Sequence, residues 1–375
     1  MVPALFAALT LAAAGGVDFK EHVLATDLKG GYHVTAVDVN GDGKTDLIAL
    51  ASGLPELYWF EAPSWKRHLL VSGLQRMINL GAADTDGDRI PEIVIAHEFN
   101  NDPAKSIGIV SLLTHDGDPT KPWKVREIDR LSTSHRIRAA RIDGKVVFVN
   151  APLADANAKV SEDYRGHVPL VFYRPGEWKR EVISTSDEGV VHGLWVGKWK
   201  KSDQSDSVLT SSFLGIFRHE YAGGGKWKRT KLTAGDPSPW PRSGSSEIAP
   251  GEGWYTSLEP WHGNQVVVYK GKKRDVIETK LVDGHVLLTA DFDGDGKSEI
   301  VAGYRGAGRS VYLYTQDAKG AWSRQTVDNG GISAAGCAIA DFTGDGRPDL
   351  ACIGSATTNL KLYENLGRHS NAGGR

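Results

Sequence analysis

The chain is poor in cysteine and methionine, with two of each in 375 residues, and it lacks any long segment of helical periodicity. That missing pattern, together with 44 glycines and 11 tryptophans, points to an all-β architecture rich in turns. A formal net charge of -2 from mixed Lys/Arg and Asp/Glu usage carries no polyanion-binding signal, so nucleic acid is not expected as a partner. There is no G-x-S-x-G elbow, no H-E-x-x-H helix and no P-loop; the run Ser243–Glu247 (SGSSE) enters a strand, with no helix after it. Cys337 and Cys352 fall on neighbouring strands of one hairpin, in a register that does not set them opposite each other. Buried free thiols are the expectation. The apolar residues 1–16 are too short for a membrane span and end in small residues. They read as a secretory signal peptide without a basic n-region, which places the protein in a secreted or periplasmic setting.

What the chain does have is repetition. GHVLLTADFDGDGKSEIVAGYRG, from Gly284, sets Asp291, Asp293, Asp295 and Glu299 at positions 1, 3, 5 and 9 of a glycine-containing loop between two strand-like runs. Three more copies present Asp38, Asn40, Asp42 and Asp46; Asp84, Asp86, Asp88 and Glu92; and Asp341, Thr343, Asp345 and Asp349. Alternating carboxylates around glycines can wrap oxygen ligands about a hard cation, so calcium or magnesium is the expected occupant. The plainer role is to rigidify hairpin tips, and no catalytic part is assigned to these loops.

A second repeat sets the architecture. Strands opening Trp-Lys-Arg or a variant begin at Trp65, Trp123, Trp178, Trp227, Lys272 and Trp322, with another at Phe19. Their spacing of roughly 45 to 58 residues is the blade length of a β-propeller. Seven blades follow over residues 17–366, with Phe19–Thr26 supplying the outer strand of the last blade and so closing the ring. Residues 367–375 are expected to form a disordered tail.

In a propeller the acidic hairpins mark one face, and the inner strands enter from the other. Those entries carry His33, Asn79, His135, Arg136, His192, Glu247 and His285, with Cys337 in the last blade. Loops returning to that face add His97, Tyr164, Arg165, His167, Glu259, Trp261, His262, Tyr304 and Arg305. Most of the twelve histidines are thereby expected at one end of the channel. Such a set could supply acids, bases and a stacking surface for a sugar, or could ligate a divalent metal through its imidazoles. The stretch Leu153–Val168 is long enough for a lid or pocket wall.

The acidic units resemble the FG-GAP/VCBS repeats of integrin-type and bacterial secreted propellers. Across nearly the whole chain, SHRIRAARIDG, VHGLWVG, SGSSEIAPG, SLEPWHGNQVVVY and GHVLLTADFDGDGKSEIVAGYRG resemble the β-propeller domain of aldos-2-ulose dehydratase and its bacterial single-domain relatives. The resemblance implies a seven-bladed propeller with divalent metal ions that eliminates water, or a glycosyl group, from a keto-sugar such as 1,5-anhydrofructose. Only the elimination half is implied, because the isomerisation of the fungal enzyme belongs to cupin domains. β-Elimination needs a base, a positive charge or metal for the enolate, and an acid for the leaving oxygen. His135 or His192 suits the first role, with His285 nearby. Arg305, Arg136 or a histidine-bound metal suits the second, and Glu259 or His262 the third. Trp261 or Tyr304 suits stacking, and His33, Asn79, Tyr164 and Glu247 suit substrate binding. The rivals are a non-catalytic carbohydrate-binding or adhesive propeller and a calcium-centred polysaccharide lyase. The sequence leaves the oligomeric state open.

Overall fold

The computed structural model describes residues 16–369. Residues 1–15, which hold nearly all of the signal-peptide reading, and 370–375 lie outside them. The chain forms seven four-stranded antiparallel sheets. Each runs from an inner strand outwards, as in blade 1: Gly31–Val37, Asp46–Ala51, Leu57–Glu61, Lys66–Val71. The other inner strands are Asn79–Ala83, Ser134–Ile142, Val191–Gly197, Glu247–Gly251, Gly284–Ala290 and Ala334–Ala340. Blade 7 takes its outer strand, Val17–Ala25, from the other end of the chain, where it pairs with Leu360–Arg368. That strand continues two residues past the expected boundary at 366: Arg368 pairs with Val17 and donates to the backbone oxygen of Asp293 at 2.9 Å. Among the described residues no helix is long and apolar enough to cross a membrane.

Why the blades form a ring is visible in the burial. Second strands such as Asp46–Ala51, Glu92–His97, Glu299–Tyr304 and Asp349–Gly354 are buried at every position, so both sheet faces need a neighbour. Each gap between adjacent blades therefore holds an apolar cluster. Ile48, Leu50 and Trp59 meet Leu80, Ile95 and Trp123 between blades 1 and 2, and Val34, Leu47 and Ala49 meet Ile353 and Leu362 between blades 1 and 7. An eighth cluster sits above the ring. There Leu153, Ala154, Ala158 and Tyr164 of the blade 3 insert pack with Phe213, Trp240 and Trp261.

The acidic hairpins are built alike. The position 1 carboxylate caps loop amides: Asp38 accepts from the N–H of Gly41 and Gly43, each at 2.8 Å, and Asp291 from those of Gly294 and Gly296, each at 2.8 Å. Gly41, Gly43, Gly294 and Gly296 all have positive φ, which is why glycine alternates with aspartate there. The position 9 carboxylate turns inward and buttresses the hairpin. Asp46 accepts from Val39 N–H at 2.9 Å and Ala62 N–H at 2.8 Å, and Asp349 from Phe342 and Asn365 N–H at 2.9 and 2.7 Å. Burial pushes the Asp46 carboxyl up to about 6 and that of Glu299 up to about 7.

One expectation fails here. Cys337 and Cys352 are direct cross-strand partners and form a disulfide. The hairpin pairs Ala340 with Asp349, and counting back three pairs from there brings the cysteines face to face. Closing a loop of separation 15 contributes about 3 kcal/mol. Replacing both cysteines by serine should lower the melting temperature by several degrees, and a reductant should do the same to the wild-type protein. Equal melting of wild type and double variant would show that the bond does not form.

Candidate active site

The axial residues owe their direction to β-bulges. Pairing of the inner strand slips by one residue at Tyr32, His135, His192, His285 and Ala335. A bulge leaves one residue unpaired and re-aims its side chain. Tyr32, His135, His192 and His285 thereby meet around the axis, joined by Trp261, His262 and Arg305 from returning loops. All but His285 line, with Arg76, Met77, Phe99, Asn100 and Leu153, a cavity of about 380 Å³; His285 faces a second cavity beneath it.

Three imidazoles converge at the axis, the ligand nitrogens of His192, His262 and His285 all lying within 4.8 Å of one another. Each ring is braced at Nδ1. His285 Nδ1 lies 2.6 Å from the carbonyl oxygen of Ala335, His262 Nδ1 lies 2.9 Å from Asp283 Oδ1, and His192 Nδ1 lies 2.8 Å from Glu247 Oε1. With Nδ1 so held the Nε2 atoms turn inward, as around imidazole-bound metals, with Arg136 Nη2 3.4 Å from His192 Nε2 and the Tyr32 hydroxyl 3.4 Å from His285 Nε2. His192 Nε2 and His262 Nε2 face each other at 3.1 Å, where two lone pairs repel unless a proton or a cation lies between them. The residues present thus fit a divalent ion that prefers nitrogen ligands. His262 and Asp283 both hold left-handed backbone, φ 48° and 60°.

A fourth imidazole stands beside this trio. His135 Nε2 is 2.9 Å from the Tyr32 hydroxyl, and its Nδ1 is buried with no partner among the described residues. Trp261 Nε1 is likewise buried and unpartnered. Burial, and after it the Arg136 charge, hold His135 and His192 well below the usual imidazole range, so both are neutral at pH 7. Burial and then Arg305 do the same for His285. Arg305 Nε donates to Asp283 Oδ2 at 2.8 Å, so one carboxylate steadies both Arg305 and His262.

One residue further along each inner strand lies a second layer containing His33, Asn79, Arg136 and Glu247. Arg136 donates to the carbonyl oxygen of His192 at 3.0 Å and to Glu247 Oε1 at 2.9 Å. These residues support the imidazole layer from below instead of lining the upper cavity.

Beyond His33, Asn79, Arg136, Glu247 and His285, three further expected site residues do not line the upper cavity. Glu259 is fully buried inside blade 5, accepting from the Tyr269 hydroxyl at 2.6 Å and Arg274 at 2.7 Å, and its outward turn follows from strand alternation. The Tyr304 hydroxyl donates to the carbonyl oxygen of Gly308 at 2.7 Å within an inter-blade core. Tyr164 packs edge-on to Trp261, 5.9 Å between ring centres, and backs the pocket wall without lining it. The histidines are fewer than expected as well: His135, His192 and His262 line the upper cavity, while His285 and His33 line the one below. His97 bonds Ser111 inside its own blade, and His167 is exposed. Tyr32 and Asp283 were missed. Tyr32 precedes His33 at a bulge that no residue pattern announces, and Asp283 lies in a turn just outside its strand.

The metal-loop residues all lie on hairpins at the opposite face. Three acidic side chains approach within 4.8 Å in two of them: Asp84, Asp86 and Glu92, and Asp291, Asp293 and Asp295.

This architecture defines a seven-bladed propeller with one axial imidazole pocket. Comparison with known proteins adds the kind of propeller. Residues 107–274 match the family described as the aldos-2-ulose dehydratase beta-propeller domain, and residues 38–95 and 291–352 match the FG-GAP-like repeat. The aldos-2-ulose dehydratase of Phanerodontia chrysosporium is 24% identical over 295 residues, covering 66% of this chain and 32% of that protein. The chain thus spans about a third of the length of that relative. In shape it is similar to the crystal structure of BBS1N in complex with ARL6DN soaked with mercury: TM-score 0.56, 11% identity, 95% of this chain and 98% of the other. The lead-soaked counterpart gives 0.55, 10%, 92% and 96%. At such identity these two structures show the fold alone. The resemblance drawn from the sequence motifs therefore stands.

His33 offers a check on the electrostatics. Burial, then the Arg138 and Arg136 charges, hold its imidazole well below its ordinary value of 6.5. As pH falls below about 6.5 the unfolded chain takes up a proton that the folded chain refuses, so stability present at neutral pH declines by up to about 1.4 kcal/mol per pH unit for each such group. Melting curves between pH 7.5 and 5 should show this decline, and His33→Gln should make it shallower. An unchanged slope would mean that His33 protonates in the folded state.

Proposed function

We propose that the protein is a carbon–oxygen lyase that eliminates water or a glycosyl group from a keto-sugar in the axial pocket. The observation that carries this reading is the convergence of three imidazoles at the axis with His135 and Tyr32 beside them. The match to the aldos-2-ulose dehydratase propeller supports a sugar-processing role. A binding propeller would call for similar shallow sites between blades, whereas here the polar chemistry is concentrated at the axis.

A divalent ion on His192, His262 and His285 would polarise the substrate carbonyl and stabilise an enolate oxygen. His135, neutral through burial, accepts the proton from the carbon next to that carbonyl. The Tyr32 hydroxyl at its Nε2 provides the path by which a proton returns to the departing oxygen. Arg305, fixed by Asp283, places a positive charge at the pocket wall, and the Trp261 indole offers an apolar face for a sugar ring. Leu153 and the insert behind Trp261 form one wall of the pocket. Calcium or magnesium in the acidic hairpins is a structural complement in this proposal, and the Cys337–Cys352 disulfide agrees with export to an oxidising compartment.

Incubation with 1,5-anhydrofructose or 3-keto-glucosides should give an enone absorbing in the near ultraviolet. His135→Ala should lower turnover by about 100-fold or more while metal content stays unchanged, and His262→Ala should lose both. Absence of any enone from every keto-sugar offered to folded, metal-loaded protein would overturn the reading. A calcium-selective chelator should lower the melting temperature through the hairpin loops, and no shift would remove the cations from them.

A further inference from the structure

We propose that the lower half of the channel, beneath the imidazole layer, binds a small monovalent anion between Arg138 and the wall containing Trp195. A second cavity of about 210 Å³ lies there, lined by His33, Arg136, Arg138, Trp195, Glu247 and His285 among apolar strand residues. Its charges do not balance. Arg136 is matched by Glu247 at 2.9 Å, but among the described residues no carboxylate lies within ion-pair distance of Arg138. The Arg138 guanidinium uses Nη1 on two neutral acceptors, Asn79 Oδ1 at 2.7 Å and the carbonyl oxygen of Ile137 at 2.8 Å. Its Nε and Nη2 find no protein acceptor among the described residues, and the side chain keeps part of its surface open to the cavity.

The neighbouring amide is short of a partner too. Asn79 Oδ1 accepts both Arg138 Nη1 and the Ile137 N–H, the latter at 2.9 Å, which fixes the amide's orientation. Its Nδ2 is then left buried without an acceptor. Two sets of unused donors therefore belong to one network, and one of them carries a full charge. Water can satisfy an N–H but leaves the charge unmatched inside a low-dielectric wall, so an anion is favoured over water alone.

The charge count sets the valence. Arg136 and Arg138 against Glu247 leave one positive charge, because His33 is held neutral by burial and by the two arginines. Burial draws Arg138 down to about 10, which leaves it charged at neutral pH. The small volume and the indole and aliphatic lining suit a compact, weakly hydrated ion of halide size. His285 forms part of the wall shared with the imidazole layer, and the Arg136–Glu247 pair lies beside it. The anion site needs none of the chemistry proposed for the upper cavity.

The test replaces gluconate by chloride or bromide at constant ionic strength while melting is followed. A saturable rise in melting temperature of about 2 °C or more is expected with either halide. The rise should vanish in Arg138→Gln and persist in Arg67→Gln, which removes a surface arginine paired with Asp27. A flat response in the wild type, or an equal response in Arg138→Gln, overturns the proposal. Should Arg138→Gln fail to fold, a bromide-soaked crystal of the wild type decides. An anomalous peak beside Arg138 supports the site, and bromide found only on the outer surface refutes it.

Discussion

Burial of both faces of every blade is the constraint on which the rest of this molecule depends. A sheet whose second strand is apolar on both sides cannot stand alone, and seven of them can be satisfied together only by closing into a ring. Closure in turn needs the two chain ends to share a blade, which the pairing of Val17–Ala25 with Leu360–Arg368 provides. With the inter-blade space filled by apolar side chains, polar groups are left the hairpin tips, the outer strands and the axis. The pocket arises where that restriction meets the bulges at the strand entries.

The axis concentrates charge where water is scarce, and the structure manages it by sharing. Glu247 serves Arg136 and braces His192; Asp283 serves Arg305 and His262. Each carboxylate orients an imidazole while matching a guanidinium, and burial with the arginine charges keeps His192 neutral. The same logic exposes the exception below them. Arg138 has only neutral acceptors, and it stands out because its neighbours are paired so thoroughly.

The two kinds of residue singled out by pattern fared differently. Acidic loop residues were legible because ligand spacing, glycine and flanking strands are all local. Axial residues were legible only as a set. His135, His192, His262 and His285 came from the right segments, but Glu259 and Tyr304, equally polar and equally placed at strand ends, turn to the blade interior. The difference is one of strand phase: a bulge shifts the phase by one residue, and composition does not announce it. The cysteine pair shows the same sensitivity, since their pairing hangs on a single count around the hairpin.

The amino-acid sequence by itself determined the all-β class, the seven repeats, the terminal strand that completes the last blade and the face on which to look for chemistry. These follow from periodicities and loop signals carried within a few dozen residues. Only the tertiary structure decided which side chains meet, which imidazole nitrogen faces inward, which carboxylates are occupied elsewhere and which arginine has no carboxylate partner among the described residues. Those outcomes depend on strand register and on contacts between blades far apart in the chain, and the physical cost of an unpaired buried group is set by neighbours that no local pattern identifies.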